Sequence, residues 1–160
     1  MTATATNNIP SLDRVEASVG TALGVRVLAV RRQARWRPTW FVDAERDGAP
    51  FPLVVRGARV DTELFPLEHE VTFHRILESH GIAVPTIHGW LDDLGAVVLE
   101  RVPGKPDFDG VDPAARDTIV DEYLQLLASV HALDVQQFVD AGIFHPGPDE
   151  DPAFIGHLRF

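Results

Sequence analysis

The chain contains no cysteine, which excludes both a disulfide framework and a thiolate metal site. Basic residues are few: 14 Lys and Arg stand against 24 Asp and Glu, for a net charge of −10. That balance argues against general binding to nucleic acid or to an anionic membrane. No apolar run approaches the roughly 18–20 residues needed to span a bilayer. The start, Met1 to Pro10, is rich in Thr, Ala and Asn and lacks the apolar centre of a secretory signal. There are no internal repeats. What is present is 160 residues, 45% hydrophobic, with 12 Gly and 12 Pro. This composition suits one domain, or one lobe and part of another, in a soluble cytoplasmic protein.

Two stretches carry the most information. Leu53-Val54-Val55-Arg56 is a short apolar run closed by a cation and reads as a buried strand. The segment from Asp61 to Gly81 reads as a helix, with Pro66 at its first turn, Glu68 and Glu70 near its positive end and Gly81 as its stop. On a wheel of about 100° per residue, with Leu67 at zero, Val71 falls at about 40°, Leu77 at about 280° and Glu70 at about 300°. Glu70 therefore points into the apolar arc, where an unpaired carboxylate is costly. Arg56 is the nearest cation in sequence able to neutralise it. His69 and His74 on this helix are five apart, about 140° around the wheel, so they do not share a face as zinc-protease histidines must.

Elsewhere, Ser11 caps a helix whose Leu12, Val15, Val19 and Leu23 recur at helical spacing, with Gly24 as the stop. Val25–Val30, Thr39–Ala44 and Phe51–Arg56 read as three antiparallel strands, the last two joined by the turn signal Asp47-Gly48. The first bend holds Arg31, Arg32, Arg35 and Arg37 around Trp36. This segment reads either as a solvated hairpin paired with nearby carboxylates, as a cationic flap over a polyphosphate, or as a nucleic-acid patch, which the net charge disfavours. Ile82–Trp90 turns into a strand with Pro85 at an entry or edge position. Ala96–Glu100 reads as a buried central strand that breaks at Arg101-Val102-Pro103-Gly104. Such a break is an ordinary strand exit, or it frees backbone groups for a flat heterocycle. Asp112-Pro113 opens a long helix whose apolar residues, from Ile119 to Leu133, exceed a single stripe and call for partners on more than one flank.

In this order, the elements resemble the amino-terminal lobe of the aminoglycoside phosphotransferase-like, kinase-fold family. The resemblance rests on Leu53 to Arg56, Glu70 to Leu77, Gly81 to Pro85, Val97 to Gly104 and Leu127 to Asp134. It implies an α+β fold: a five-stranded antiparallel sheet with a packed helix, then a long helix of an incomplete carboxy-terminal lobe. The expected organisation is a flexible terminus over 1–10, a nucleotide-binding lobe over 11–102, and the hinge with the start of the helical lobe over 103–160. The resemblance assigns Arg56 to the nucleotide phosphates and Glu70 to orienting it. Leu99 gates the base pocket, Glu100 offers a carbonyl and Val102 an N–H to adenine. Arg35, Trp36 and Arg37 lie where a phosphate-covering loop is expected, though the segment has no glycine. ATP and Mg are the implied cofactors, with a small-molecule acceptor.

Two departures matter. Arginine stands in place of the usual lysine, which keeps the charge but replaces a point with a fork. No His-Gly-Asp pattern occurs, so the base and the magnesium ligands that phosphoryl transfer requires are not encoded here. His145-Pro146-Gly147-Pro148-Asp149 is the nearest string, and His131 reads as structural. The expectation is a nucleotide-holding part that does not transfer phosphate alone, from a truncated or split gene. The alternative is a non-catalytic kinase-like interaction module that self-associates or meets a partner through the 112–134 helix.

Overall fold

Ten elements follow in chain order: α1 (Leu12–Leu23), β1 (Arg26–Gln33), β2 (Thr39–Arg46), β3 (Ala49–Pro50), β4 (Leu53–Gly57), α2 (Leu67–Ser79), β5 (Ile87–Leu91), β6 (Ala96–Glu100), α3 (Pro113–His131) and α4 (Gln136–Asp140). The computed structural model describes residues 9–35, 37–58, 66–105 and 107–143. Residues 1–8 of the flexible terminus expected over 1–10, and the 61–65 start expected for the second helix, lie outside the described residues. Contacts divide the chain into two units, with crossings at Val71/Thr72, Val84/Pro85 and Val102/Pro103.

The first unit is built on an antiparallel sheet in the order β1-β2-β4-β6-β5, with β3 pairing β2. The sheet has one strand more than expected, because two residues after the Asp47-Gly48 turn pair back on β2 before the chain enters β4. Asp47 and Gly48 both have positive φ, 52° and 80°, as a tight two-residue turn matched to strand twist requires. A second difference lies in β1, which runs on to Gln33, so Arg31 and Arg32 are ladder residues opposite Phe41 and Trp40 rather than part of a bend. β1 is an edge strand, and its arginines extend to solvent there without a burial cost. β6 lies inside the sheet with Ala96, Val97 and Val98 buried, and β5, which Pro85 precedes, forms the other edge.

Burial alternates along β4. Leu53, Val55 and Gly57 are buried, while Val54 and Arg56 are partly exposed. The register places Trp40, Val55 and Val98 on one face, and Val15 and Val19 of α1 join their core cluster. α1 is held by local chemistry at both ends: Ser11 accepts from the Arg14 N–H, and Gly24 closes the helix at φ 63°. Ser18 and Arg14 both bond Asp93 in the β5–β6 turn, which clips the helix to the far side of the sheet. A Cβ on Gly89 of β5 would lie 3.3 Å from Leu23, so glycine permits the close approach of α1 there.

α2 ends in a Schellman arrangement, Ile82 N–H to Leu77 carbonyl and Gly81 N–H to Glu78 carbonyl, with Gly81 at φ 71°. Pro66 stands immediately before α2 rather than inside its first turn. In the second unit, Asp112 caps α3 by accepting from Ala114 and Ala115 N–H groups. α3 has no buried residue, and Tyr123 and Leu124 are more than half exposed. Phe73 packs on Phe138, a short α4 contact that the sequence pattern did not suggest. No helix among the described residues is long and apolar enough to cross a membrane.

Leu53 is fully buried at the centre of the first unit's core. Leu53→Ala is expected to lower unfolding stability by about 2–5 kcal/mol, read as a lower denaturation midpoint at an unchanged slope in urea.

Candidate functional site

The face of the sheet opposite α1 carries the charged groups. Because side chains alternate along a strand, Arg56 shares this face with Val54, and the register adds Thr39, Phe41, Val97 and Leu99. Leu99 lies opposite Val54, one side-chain repeat from Arg56.

Glu70 meets Arg56 here, as its place on the helical wheel requires. Arg56 Nε is 2.7 Å from Glu70 Oε1, and Glu70 Oε2 is 3.8 Å from Arg37 Nε. One carboxylate therefore bridges two guanidinium groups. At 2.7 Å the Arg56 Nε–H still lies outside hydrogen-bonding angle, so the contact is an ion pair and the buried Nε has no hydrogen-bond partner. Both side chains remain about one-third exposed, at 35% for Arg56 and 34% for Glu70. Pairs this accessible contribute about 0.2–1 kcal/mol to stability. Their arrangement holds a cationic fork in place more than it holds the fold.

The other expected residues are distributed as follows. Arg37 is largely buried, and its carbonyl accepts from the Thr39 hydroxyl at 3.0 Å. Arg35 is exposed and forms no ion pair among the described residues. Trp36 lies outside the described residues, as does His145 to Asp149. Of the four arginines near the first bend, Arg31 pairs with Asp43 and Arg37 with Glu70, while Arg32 and Arg35 are exposed. The side chain of Glu100 turns away from this group: its Oε2 accepts from both the N–H and the hydroxyl of Thr86, which hold its carboxyl below the usual range. The Glu100 N–H is committed to the Thr86 carbonyl at 2.8 Å. Val102 is exposed beyond the end of β6, and no described backbone carbonyl accepts from its N–H.

The sequence pattern missed a second charged group on this face. Asp43 Oδ1 is 2.7 Å from Arg101 and Oδ2 is 2.9 Å from Arg31, and the Arg101 guanidinium lies 5.6 Å from the centre of the Phe41 ring. Period-two alternation was the available signal, since Phe41 and Asp43, and likewise Leu99 and Arg101, must share a face. Among the described residues no three His, Asp or Glu side chains gather to hold a metal ion.

An antiparallel sheet with a strand cation paired to a helix carboxylate makes this an α+β protein. A family model described as the phosphotransferase enzyme family matches residues 30–159, and the chain belongs to that family. The kinase-like fold class comes with that membership. Searches of curated proteins and of solved structures returned no match.

The Asp43 carboxyl is held below its ordinary range chiefly by its hydrogen bond to Arg101, assisted by both guanidinium charges and opposed by burial. A lowered folded value means that this stabilisation is present above the unfolded pKa, about 3.9, and is lost as pH falls through the folded value. Asp43→Asn is therefore expected to unfold more readily than wild type at pH 7. The gap should close below about pH 4 in a series of thermal melts, and a gap that persists at pH 2 contradicts the assignment.

Proposed function

We propose that the first unit is the nucleotide-binding lobe of an ATP-dependent small-molecule phosphotransferase. The observation that carries this reading is the Arg56 guanidinium, ion-paired through Nε to Glu70 at 2.7 Å on the same sheet face as Leu99. Arg56 and Arg37 hold the phosphates by charge-assisted hydrogen bonds, and Glu70 keeps the fork from collapsing to other rotamers. Leu99 flanks the base, the Glu100 carbonyl and the Val102 N–H receive its polar edge, and Arg35 with Trp36 covers the phosphates. The cytoplasm, where ATP is abundant, is the expected location.

Phosphoryl transfer also needs a base to take the acceptor's proton and ligands for Mg. No His-Gly-Asp pattern is present in the sequence. On this reading the chain binds nucleotide and does not by itself transfer phosphate to its acceptor, a small molecule whose identity other residues must set.

A second reading is favoured by one feature, the unburied α3 with Ile119, Tyr123 and Leu124 exposed. Under it the chain is a kinase-like interaction module that binds no nucleotide and associates through α3. Calorimetry with ATP and Mg separates the two. The nucleotide reading expects binding that Arg56→Ala and Glu70→Ala each weaken roughly 10- to 100-fold, the range of a lost charged hydrogen bond. Unchanged binding in both variants rejects the assigned residues. No binding, with a self-associated species in sedimentation that Leu124→Glu disperses, favours the module.

A further inference from the structure

The polypeptide that leaves β6 is held by few backbone bonds. The Arg101 N–H donates to the Pro52 carbonyl at 3.2 Å, one step beyond the Leu53–Glu100 pair of the ladder. Proline has no N–H, so the ladder returns no bond to the Arg101 carbonyl there. On the other side the Glu100 N–H donates to the Thr86 carbonyl at 2.8 Å. The Thr86 N–H goes to Glu100 Oε2 at 3.2 Å instead of returning to the Glu100 carbonyl. The Val102 N–H meets no described backbone carbonyl, and Pro103 has no N–H at all. Side chains supply the missing anchors. Arg101 reaches across Pro52 to Asp43 Oδ1 at 2.7 Å, and Arg31 holds Oδ2 of the same carboxylate at 2.9 Å. The Arg101 guanidinium of this ionic strap also lies within cation–π distance of the Phe41 ring.

We infer that Asp43 is a positioning residue for the base: acting through Arg101, it fixes where the Glu100 carbonyl and the Val102 N–H stand. The inference rests on the nucleotide reading and adds a residue to it. Arg101 lies between the two residues whose backbone receives the base, so its side chain is the anchor nearest to both. A hydrogen bond to a base edge is steep in distance and angle, and a segment free to shift meets that edge poorly. Ordering the segment beforehand removes an entropy cost from binding. Asp43 suits this task because it stands on β2, which is paired on both sides, with β1 and with β4. Arg101 and Asp43 are also the sheltered members of the strap, their side chains 25% and 30% exposed against 58% for Arg31. Asp43 itself need not touch the nucleotide, since its effect passes through the backbone on either side of Arg101.

The test compares ATP with inorganic tripolyphosphate, which has the phosphates and no base, on the 160-residue chain by calorimetry. Asp43→Ala is expected to weaken ATP about tenfold, the scale of one lost hydrogen bond, and to leave tripolyphosphate within about twofold. Removing a carboxylate makes this face more positive, so a loss confined to ATP cannot come from charge. Asp43→Asn, which keeps an oxygen for Arg101, is expected to fall between wild type and Asp43→Ala for ATP. It also guards against an alanine variant that misfolds. Equal losses for both ligands in Asp43→Asn, or no loss of ATP in either variant, overturn the inference. If Arg56→Ala weakens ATP and tripolyphosphate while Asp43 is silent, the nucleotide reading stands without it. If the wild type binds neither ligand, both fall together.

Discussion

A carboxylate on the inner arc of a helix must find a cation, and the placing of Glu70 against Arg56 and Arg37 organises the functional face of this protein. Arg56 leaves β4 on the side opposite α1 because its neighbour Val55 is committed to the core with Trp40 and Val98. Arg37 arrives from the β1–β2 connection, just before Thr39, the buried polar residue that enters β2. One helix glutamate thus ties a loop cation and a strand cation together. With about a third of each paired side chain accessible, water screens the attraction, so the arrangement matters for where the forks point more than for the free energy of folding.

The two faces of the sheet divide the work. The α1 face is dry and carries the large apolar side chains, with Leu53, Trp40 and Val42 almost wholly removed from water. The opposite face is mixed, a row of Phe41, Val54 and Leu99 flanked by Arg56 at one end and by the Asp43–Arg101 pair at the other. A charged group in the first set would be a folding defect, and a fully apolar second set would have nothing with which to hold an anion. Alternation along β2 and β4 delivers both from the same few residues.

Much of this is legible in the sequence alone. The Leu53–Arg56 run, the inward Glu70, the Asp47-Gly48 turn and the caps Ser11, Gly24, Gly81 and Asp112 are local signals, each with a chemistry that acts within a few residues. Other features depend on partners distant in sequence. That β1 continues through Arg31 and Arg32 follows from its pairing with β2, since the residues themselves show no apolar alternation. The Arg31–Asp43–Arg101 strap joins three segments, and its members look like ordinary surface charges until the strand register places them in reach. The two-residue β3 is too short for any periodicity to show.

The clip between α1 and the β5–β6 turn sets an order of events when the chain is made. Ser18 meets Asp93 across 75 residues of sequence. At about 5–20 residues per second, a ribosome takes roughly 4–15 s to supply the second partner after the first. Throughout that interval the Val15 and Val19 stripe of α1 has only the early strands to cover it, and the core face lacks Leu91, Ala96 and Val98. α1 is thus made before β5 and β6 and is fully enclosed only after them. That leaves a window in which the finished sheet is not yet there to keep its apolar stripe out of water.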